Sequence, residues 1–156
     1  MKNKNIFLNN RTVLKISGSN YLNFLNNILT SDITKLKSKE ITPSALLTPQ
    51  GRILFDMLIS LGPVEKINDL GCVFIECEVT QAEDLFKKIN MYNLRKEVVI
   101  EKTSHKVSVT NNPKDYPSSL MDKRFFEISI GRIYSTSKVE NIDLEINSIN
   151  QENLNW

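Results

Sequence analysis

The sequence predicts an α+β fold in which an antiparallel or mixed sheet carries two main helices. Two segments, one starting at Tyr21 and one at Ala82, have apolar residues at helical spacing. Short β-rich runs bounded by turn residues surround both segments and form hairpin-like pairs. The resulting order, β-β-α-β-β-β-α-β-β, favours an α+β domain over a doubly wound parallel sheet.

Composition limits the classes of function. Hydrophobic residues make up 40% of the 156-residue chain and charged residues 24%, as in ordinary globular domains. The net charge is +2 with both signs interspersed, so we expect no nucleic-acid partner. No apolar run is long enough for a membrane span, and MKNKNIFLNN lacks the apolar core of a signal peptide. We therefore expect a cytoplasmic protein without a membrane partner, with one domain over 1–138 and a polar, poorly ordered tail over 139–156.

The first half of the chain begins with two short strands, 6–8 and 12–17, which read as a hairpin around an Asn-Asn-Arg turn. The first helix starts at Tyr21, with Ser19 or Asn20 as its N-cap. A Lys-rich connection then leads to a strand over 42–48.

The second half contains a strand over 71–79, in which Val73, Ile75, Cys77 and Val79 face the core. We expect Phe74, Glu76 and Glu78, on the other face, to be largely solvated. Thr80-Gln81-Ala82-Glu83 has the pattern of a capping box, so it predicts the start of a second helix that fades near Met91-Tyr92. Three further strands are predicted, at 98–101, 106–110 and 125–130.

The central stretch is LLTPQGRILFDMLIS, residues 46–60, where a Pro-Gln-Gly turn leads into a strand that is apolar on both faces. Burial on both faces would place Asp56 in a dry environment, between Leu54 and Leu58. A buried carboxylate has to be paired, hydrogen-bonded or protonated. Asp56 is therefore either a structural residue, satisfied by Arg52, Arg95 or backbone amides, or a functional carboxylate whose pKa is tuned by burial.

Cysteine and histidine content argues against metal and redox chemistry. Cys72 and Cys77 lie five positions apart in one strand and face opposite sides, about 16 Å apart at about 3.3 Å per residue, which is too far for a disulfide. His105 is the only histidine, which removes His-based triads and most metal sites from consideration. We expect it to be an exposed loop residue, and we predict no metal site.

Several segments resemble motifs of a known family, in the family's order. GSNYLNFL at 18–25 and LTSDI at 29–33 resemble a G-x-D-a-x-x-F-L…L-T-x-D-V opening, and ALLTPQGRILFD at 45–56 resembles A-L-L-T-P-x-G-R-I-x-x-D. YNLRKEV at 92–98 resembles Y-x-L-R-x-x-V, and Asp122-Lys123-Arg124 with Gly131-Arg132 resembles D-x-R…L-G-x-R. The family is the glycine cleavage T-protein superfamily, and within it the chain is most similar to the YgfZ-type folate-binding proteins.

The resemblance implies an α+β folate-binding fold made of two related subdomains and normally completed by a C-terminal barrel. It implies tetrahydrofolate as cofactor, with Asp56 near the pterin or the one-carbon position. Arg95 or Arg52 would offer charge to the folate carboxylates, and Tyr92 belongs to the same candidate binding set. In the T-protein the corresponding strand carries two adjacent acids. Here Phe55 fills the first position, which favours the YgfZ side.

Three functions follow from the resemblance. The first is a YgfZ-type folate-binding protein that assists assembly or repair of iron–sulfur client proteins. The second is a tetrahydrofolate-dependent aminomethyltransferase with Asp56 as its catalytic base. The third is an interaction module, because residues 1–138 are incomplete relative to the family and the K-G-C-[FY]-x-G-Q-E signature has no counterpart. An incomplete folate domain would expose apolar surface to the missing half or to a second copy.

Overall fold

A computed structural model of the protein describes residues 5–63, 71–125 and 127–135. It contains nine strands: β1 (Asn5–Leu8), β2 (Arg11–Ser17), β3 (Glu40–Leu47), β4 (Ile53–Leu61), β5 (Cys72–Glu78), β6 (Val99–Lys102), β7 (Lys106–Thr110), β8 (Leu120–Asp122) and β9 (Gly131–Ser135). Two α-helices, α1 (Tyr21–Ile28) and α2 (Val79–Tyr92), and two short 3-10 turns, Ile33–Lys35 and Pro113–Asp115, complete the described elements.

The strands form one sheet in the order β1-β7-β9-β8-β3-β4-β5-β2-β6. Strands β3, β4, β5, β2 and β6 are antiparallel and make one half of the sheet. Strands β1, β7, β9 and β8 make the other half, also antiparallel. A short parallel pairing of β3 with β8 joins the two halves. The α+β fold class with a mixed sheet and two main helices is therefore confirmed.

Two apolar cores lie on opposite faces of β5. Val73, Ile75 and Cys77 pack with residues of α1 and α2 in the larger core. Cys72 and Phe74 point the other way and pack with Val107 and Val109 of β7 in the second core, between the two halves of the sheet. Both cysteines are buried and free. Because Cys77 lies in the larger core and Cys72 in the second core, the prediction that they face opposite sides is confirmed.

The predicted N-terminal hairpin is wrong. Strand β1 pairs with β7, and β2 pairs with β5 and β6, so the two strands lie in different halves of the sheet. The turn at Asn9-Asn10 moves the chain from one half to the other, and Leu8 and Val13 both enter the second core. Local sequence cannot reveal this, since the partners of β1 follow it by about a hundred residues.

The predicted strand over 125–130 is also wrong. A turn forms there because the Asp122 carboxylate accepts a hydrogen bond from the Arg124 backbone N–H at 3.2 Å, and the Phe125 N–H bonds to the Asp122 carbonyl at 3.2 Å. Ile128 is left exposed, and the strand begins at Gly131 instead. Strand β8, Leu120–Asp122, is not among the strands that the sequence predicts.

The second helix has the predicted end but a different start. Its first residue is Val79, and Glu78 occupies the N-cap without a side-chain hydrogen bond. The capping box is wrong because the Glu83 carboxylate bonds to Lys102 of β6 instead. Asn20 is the N-cap residue of α1, as predicted, although its side chain does not cap the helix. No described helix is both long and apolar enough to cross a membrane, and the predicted tail, 139–156, lies outside the described residues.

Candidate functional site

A buried ionic network lies between the two halves of the sheet and is centred on Glu76 of β5, which is fully buried. Arg132 Nη1 donates to both carboxylate oxygens, at 3.0 and 2.9 Å, and Arg11 Nε donates to Oε2 at 2.7 Å. The Tyr134 hydroxyl donates to Oε1 at 3.0 Å. The prediction that Phe74 and Glu76 are solvated is therefore wrong, because β7 and β9 cover that face of β5; Glu78 is exposed, as expected.

A second ion pair extends the network toward the surface. Arg124 donates to both oxygens of Asp122, from Nε at 2.9 Å and from Nη2 at 2.6 Å. Arg132 Nε lies 3.6 Å from Asp122 Oδ2, so Arg132 bridges the two carboxylates. Burial opposes ionisation of Asp122, but the hydrogen bonds and charge of Arg124 and the charge of Arg132 outweigh it and lower the pKa of Asp122. The pair is bidentate, and Arg124 remains 39% exposed.

The network forms one wall of a cleft of about 320 Å³, here called the Asp56 cleft. Its lining residues are Leu8, Asn10, Arg11, Pro43, Ser44, Asp56, Met57, Leu58, Arg124 and Arg132. Arg132 and Ser44 are both more than nine-tenths buried, and the Ser44 hydroxyl has no hydrogen-bond partner among the described residues. The cleft therefore combines an unpartnered hydroxyl, a partly exposed guanidinium and a carboxylate.

Asp56 is exposed, so the predicted burial of this residue is wrong. The register of the sheet accounts for this, because β5 pairs with β4 only from Leu58 onward, and Asp56 lies outside that ladder although it pairs with Ala45 of β3. Ile53 is 69% exposed and Leu54 38% exposed for the same reason. Among the described residues the Asp56 carboxylate forms no ion pair, either with Arg52 or with Arg95.

The other sequence-predicted site residues lie elsewhere. Tyr92 and Arg95 line a different cleft, of about 410 Å³, between α1 and the end of α2, which has no residue in common with the Asp56 cleft. The Arg95 side chain is 86% exposed, and its Nη1 lies 3.8 Å from Glu97 Oε1. Arg52 is exposed in the turn before β4 and lines neither cleft.

The sequence patterns do not identify Glu76, Arg11 and Ser44 as members of the site. The sequence does contain one indication that Glu76 is buried, because this residue stands between Ile75 and Cys77 and follows an apolar run. Arg124, Arg132 and Asp122 were found only as part of a motif resemblance, and Glu76 was not connected with them. In the described part of the chain, no group of three or more His, Cys, Asp or Glu residues could hold a metal ion.

Comparisons with known proteins are consistent with the fold. No family model matches the chain, and no curated protein matches it. Among solved structures, the glycine cleavage system aminomethyltransferase T from Bartonella henselae is similar, with a TM-score of 0.58 and 15% sequence identity. The match covers 69% of this chain and 28% of that chain, so this chain spans less than a third of that protein's length. At this identity the likeness shows a shared fold.

Proposed function

We propose that the protein binds a reduced folate, and that the Asp56 cleft is the binding site. The observation that carries the proposal is the Asp56 carboxylate itself, which is exposed in a cleft and forms no ion pair within the described part of the chain. The motif resemblance of the chain implies tetrahydrofolate, and the fold shared with an aminomethyltransferase T supports it.

The chemistry of the cleft suits the pterin end of a folate. A 2-amino-4-oxopyrimidine ring presents adjacent N–H donors and a carbonyl acceptor on its edge. A carboxylate such as Asp56 accepts from two such donors at once, and the exposed part of Arg124 can donate to a carbonyl. Because Asp122 and Glu76 hold Arg124 and Arg132 in place, the donors are oriented before the ligand arrives.

Arg52 is our candidate for contact with the folate carboxylates. It lies at the start of the strand that carries Asp56, it is exposed, and it forms no ion pair with any residue that the structure describes. Tyr92 and Arg95 are the competing pair of candidate ligand residues, in the cleft between α1 and α2.

The YgfZ-type role in iron–sulfur protein assembly or repair is the finer part of the proposal, together with a cytoplasmic location. It is supported by the motif resemblance and by Phe55, which stands where the T-protein has the first of its two adjacent acids. Since the described residues contain no candidate metal-ligand group, the ligands of a cluster would come from the client protein.

An aminomethyltransferase-like enzyme is the second candidate, because the solved structure with a similar fold has that name. It would use Asp56 as the base on the folate nitrogen. A third role, binding of a protein partner or of a second copy, is favoured by the exposed side chains of Ile53 and Leu54 beside the Asp56 cleft.

Calorimetric titration with tetrahydrofolate and folinic acid tests the proposal. We expect saturable binding that Asp56→Asn weakens at least about tenfold, the effect of losing a charge-assisted hydrogen bond. Asp84→Asn, at an exposed position of α2, is the matched control and should bind as the wild type does. Arg95→Ala and Tyr92→Phe test the other cleft.

Four outcomes decide between the candidates. Absence of folate binding by the folded wild-type chain would refute the proposal, and so would binding that is insensitive to Asp56→Asn. Loss of binding in Arg95→Ala alone would move the site to the cleft between α1 and α2. Formation of methylenetetrahydrofolate from an aminomethylated carrier protein would favour the enzyme over the assembly factor.

A further inference from the structure

A third cleft, of about 740 Å³, opens between the two halves of the sheet and is larger than the other two described above. Its walls come from both halves and include Phe74, Tyr134, His105, Lys15 and Lys39; we call it the aromatic cleft. It has no lining residue in common with the Asp56 cleft. Its volume lies within the range of small-molecule sites, about 300–1,000 Å³.

Contacts within the protein hold the three aromatic rings of the cleft wall in place. The Phe74 and His105 rings lie 5.1 Å apart between centroids, and Tyr134 meets Phe74 edge-on at 6.1 Å. The Tyr134 hydroxyl is fixed by its hydrogen bond to the buried Glu76. A flat ring that enters the cleft therefore meets aromatic surfaces that need no rearrangement to stack on it or meet it edge-on.

His105 presents an unused polar atom in this wall. Its Nδ1 is buried and has no hydrogen-bond partner among the described residues. Burial, and then the charge of Lys15, lower the pKa of His105, so the imidazole is neutral at physiological pH. The expected exposed loop histidine is therefore half-buried against Phe74.

The charged side chains described at the aromatic cleft are all positive. Lys15 and Lys39 line it, whereas no Asp or Glu is among the described lining residues. Neither lysine forms an ion pair with another described residue, and Glu101, opposite Lys15 in β6, forms none with it. Two unpaired cations beside an aromatic wall form a recognition pattern for a ring that carries negative charge.

We propose that the aromatic cleft binds a planar aromatic or heteroaromatic anion. Its ring lies among Phe74, His105 and Tyr134, and its anionic group pairs with Lys15 and Lys39. This site is separate from the folate site proposed above, and either could exist without the other.

The unique histidine makes the test direct, because its imidazole gives one set of NMR signals. We would titrate the full chain with 2-naphthoate, using cyclohexanecarboxylate and 2-naphthalenemethanol as the non-aromatic and uncharged comparisons. Only 2-naphthoate should shift the His105 signals saturably at low millimolar concentration. Asp56→Asn should leave this titration unchanged, which separates it from folate binding.

Substitution of the two lysines tests whether their charges contribute to binding. Lys15→Gln and Lys39→Gln should each weaken 2-naphthoate binding, by up to about tenfold, while Lys87→Gln on the exposed face of α2 should not. Unmoved His105 signals in the wild type, or equal shifts by the uncharged alcohol, would overturn the proposal without any variant. Wild-type affinity in both folded lysine variants would also overturn it.

Discussion

Glu76 of β5 accepts hydrogen bonds at both carboxylate oxygens from a single nitrogen, Arg132 Nη1 of β9, at 3.0 and 2.9 Å. The two residues are 56 positions apart and belong to different halves of the sheet. Glu76 is fully buried and Arg132 nearly so. The pair therefore joins the two halves of the sheet in an environment where water cannot take the place of either partner.

Removal of the Glu76 carboxylate should be severely destabilising. Glu76→Ala leaves Arg132 and the Tyr134 hydroxyl buried without their acceptor, and we expect a loss of about 3–5 kcal/mol in the free energy of unfolding. Urea unfolding measures it. Glu78→Ala, two residues along the same strand but exposed, is the control and should stay within about 0.5 kcal/mol of wild type. A near-neutral Glu76→Ala would show that the network is dispensable.

The long-range partners of this network explain what could be predicted from the sequence. Helices α1 and α2 were predicted because their apolar period is local. Alternation along the strand placed Val73, Ile75 and Cys77 in the core, but it also suggested that Glu76 faces water. A period-two pattern shows which residues share a face, and it does not show whether a second layer covers that face.

Asp56 illustrates the converse error. Its apolar neighbours Leu54 and Leu58 predicted burial, but β5 pairs with β4 at Leu58 and not at Asp56, which is exposed. Tertiary structure decides at which residue the pairing of two strands stops, so no local sequence pattern reveals that residue. The motif resemblance did locate Asp122, Arg124 and Arg132, and the structure shows that Arg124 binds Asp122 and adds Glu76 as the carboxylate that Arg132 binds.

Asp56→Asn should leave stability almost unchanged. The side chain is exposed and has no ion pair within the described residues, so we expect the free energy of unfolding to change by less than about 0.5 kcal/mol. Thermal and urea unfolding measure this in the absence of ligand. A loss of several kcal/mol would show instead that the carboxylate has a structural role, as a buried aspartate would.

Asp122 should make stability dependent on acid pH. Its pKa is lowered in the folded protein, so the native state holds fewer protons than the unfolded state, and stability falls as pH drops from the ordinary Asp pKa through the folded value. Asp122→Asn should be destabilising at neutral pH, by about 1–3 kcal/mol, through loss of the charged acceptor of Arg124. Urea unfolding from pH 7 to pH 3 should show the two proteins converging; a constant difference would contradict this.

Gly18 and Gly51 provide a matched pair for backbone strain. Both have positive φ, at 120° and 84°, which L side chains rarely adopt. A Cβ at Gly18 would lie 2.5 Å from the Glu97 carbonyl oxygen, whereas one at Gly51 would meet nothing within 4 Å. Gly18→Ala should therefore cost more than the roughly 1–2 kcal/mol of a left-handed alanine, and Gly51→Ala about that amount. Equal losses in urea unfolding would contradict the close approach.

His105 should titrate below its ordinary range, because burial against Phe74 and the charge of Lys15 both disfavour the imidazolium. NMR titration of its imidazole should give a midpoint below that of a model histidine. Lys15→Gln should move the midpoint up only in part, because burial, the larger cause, remains. Because the pKa of His105 is lowered in the folded protein, stability falls as pH decreases from the ordinary histidine pKa through the folded pKa. A midpoint that Lys15→Gln leaves in place would show that the Lys15 charge does not act on the ring.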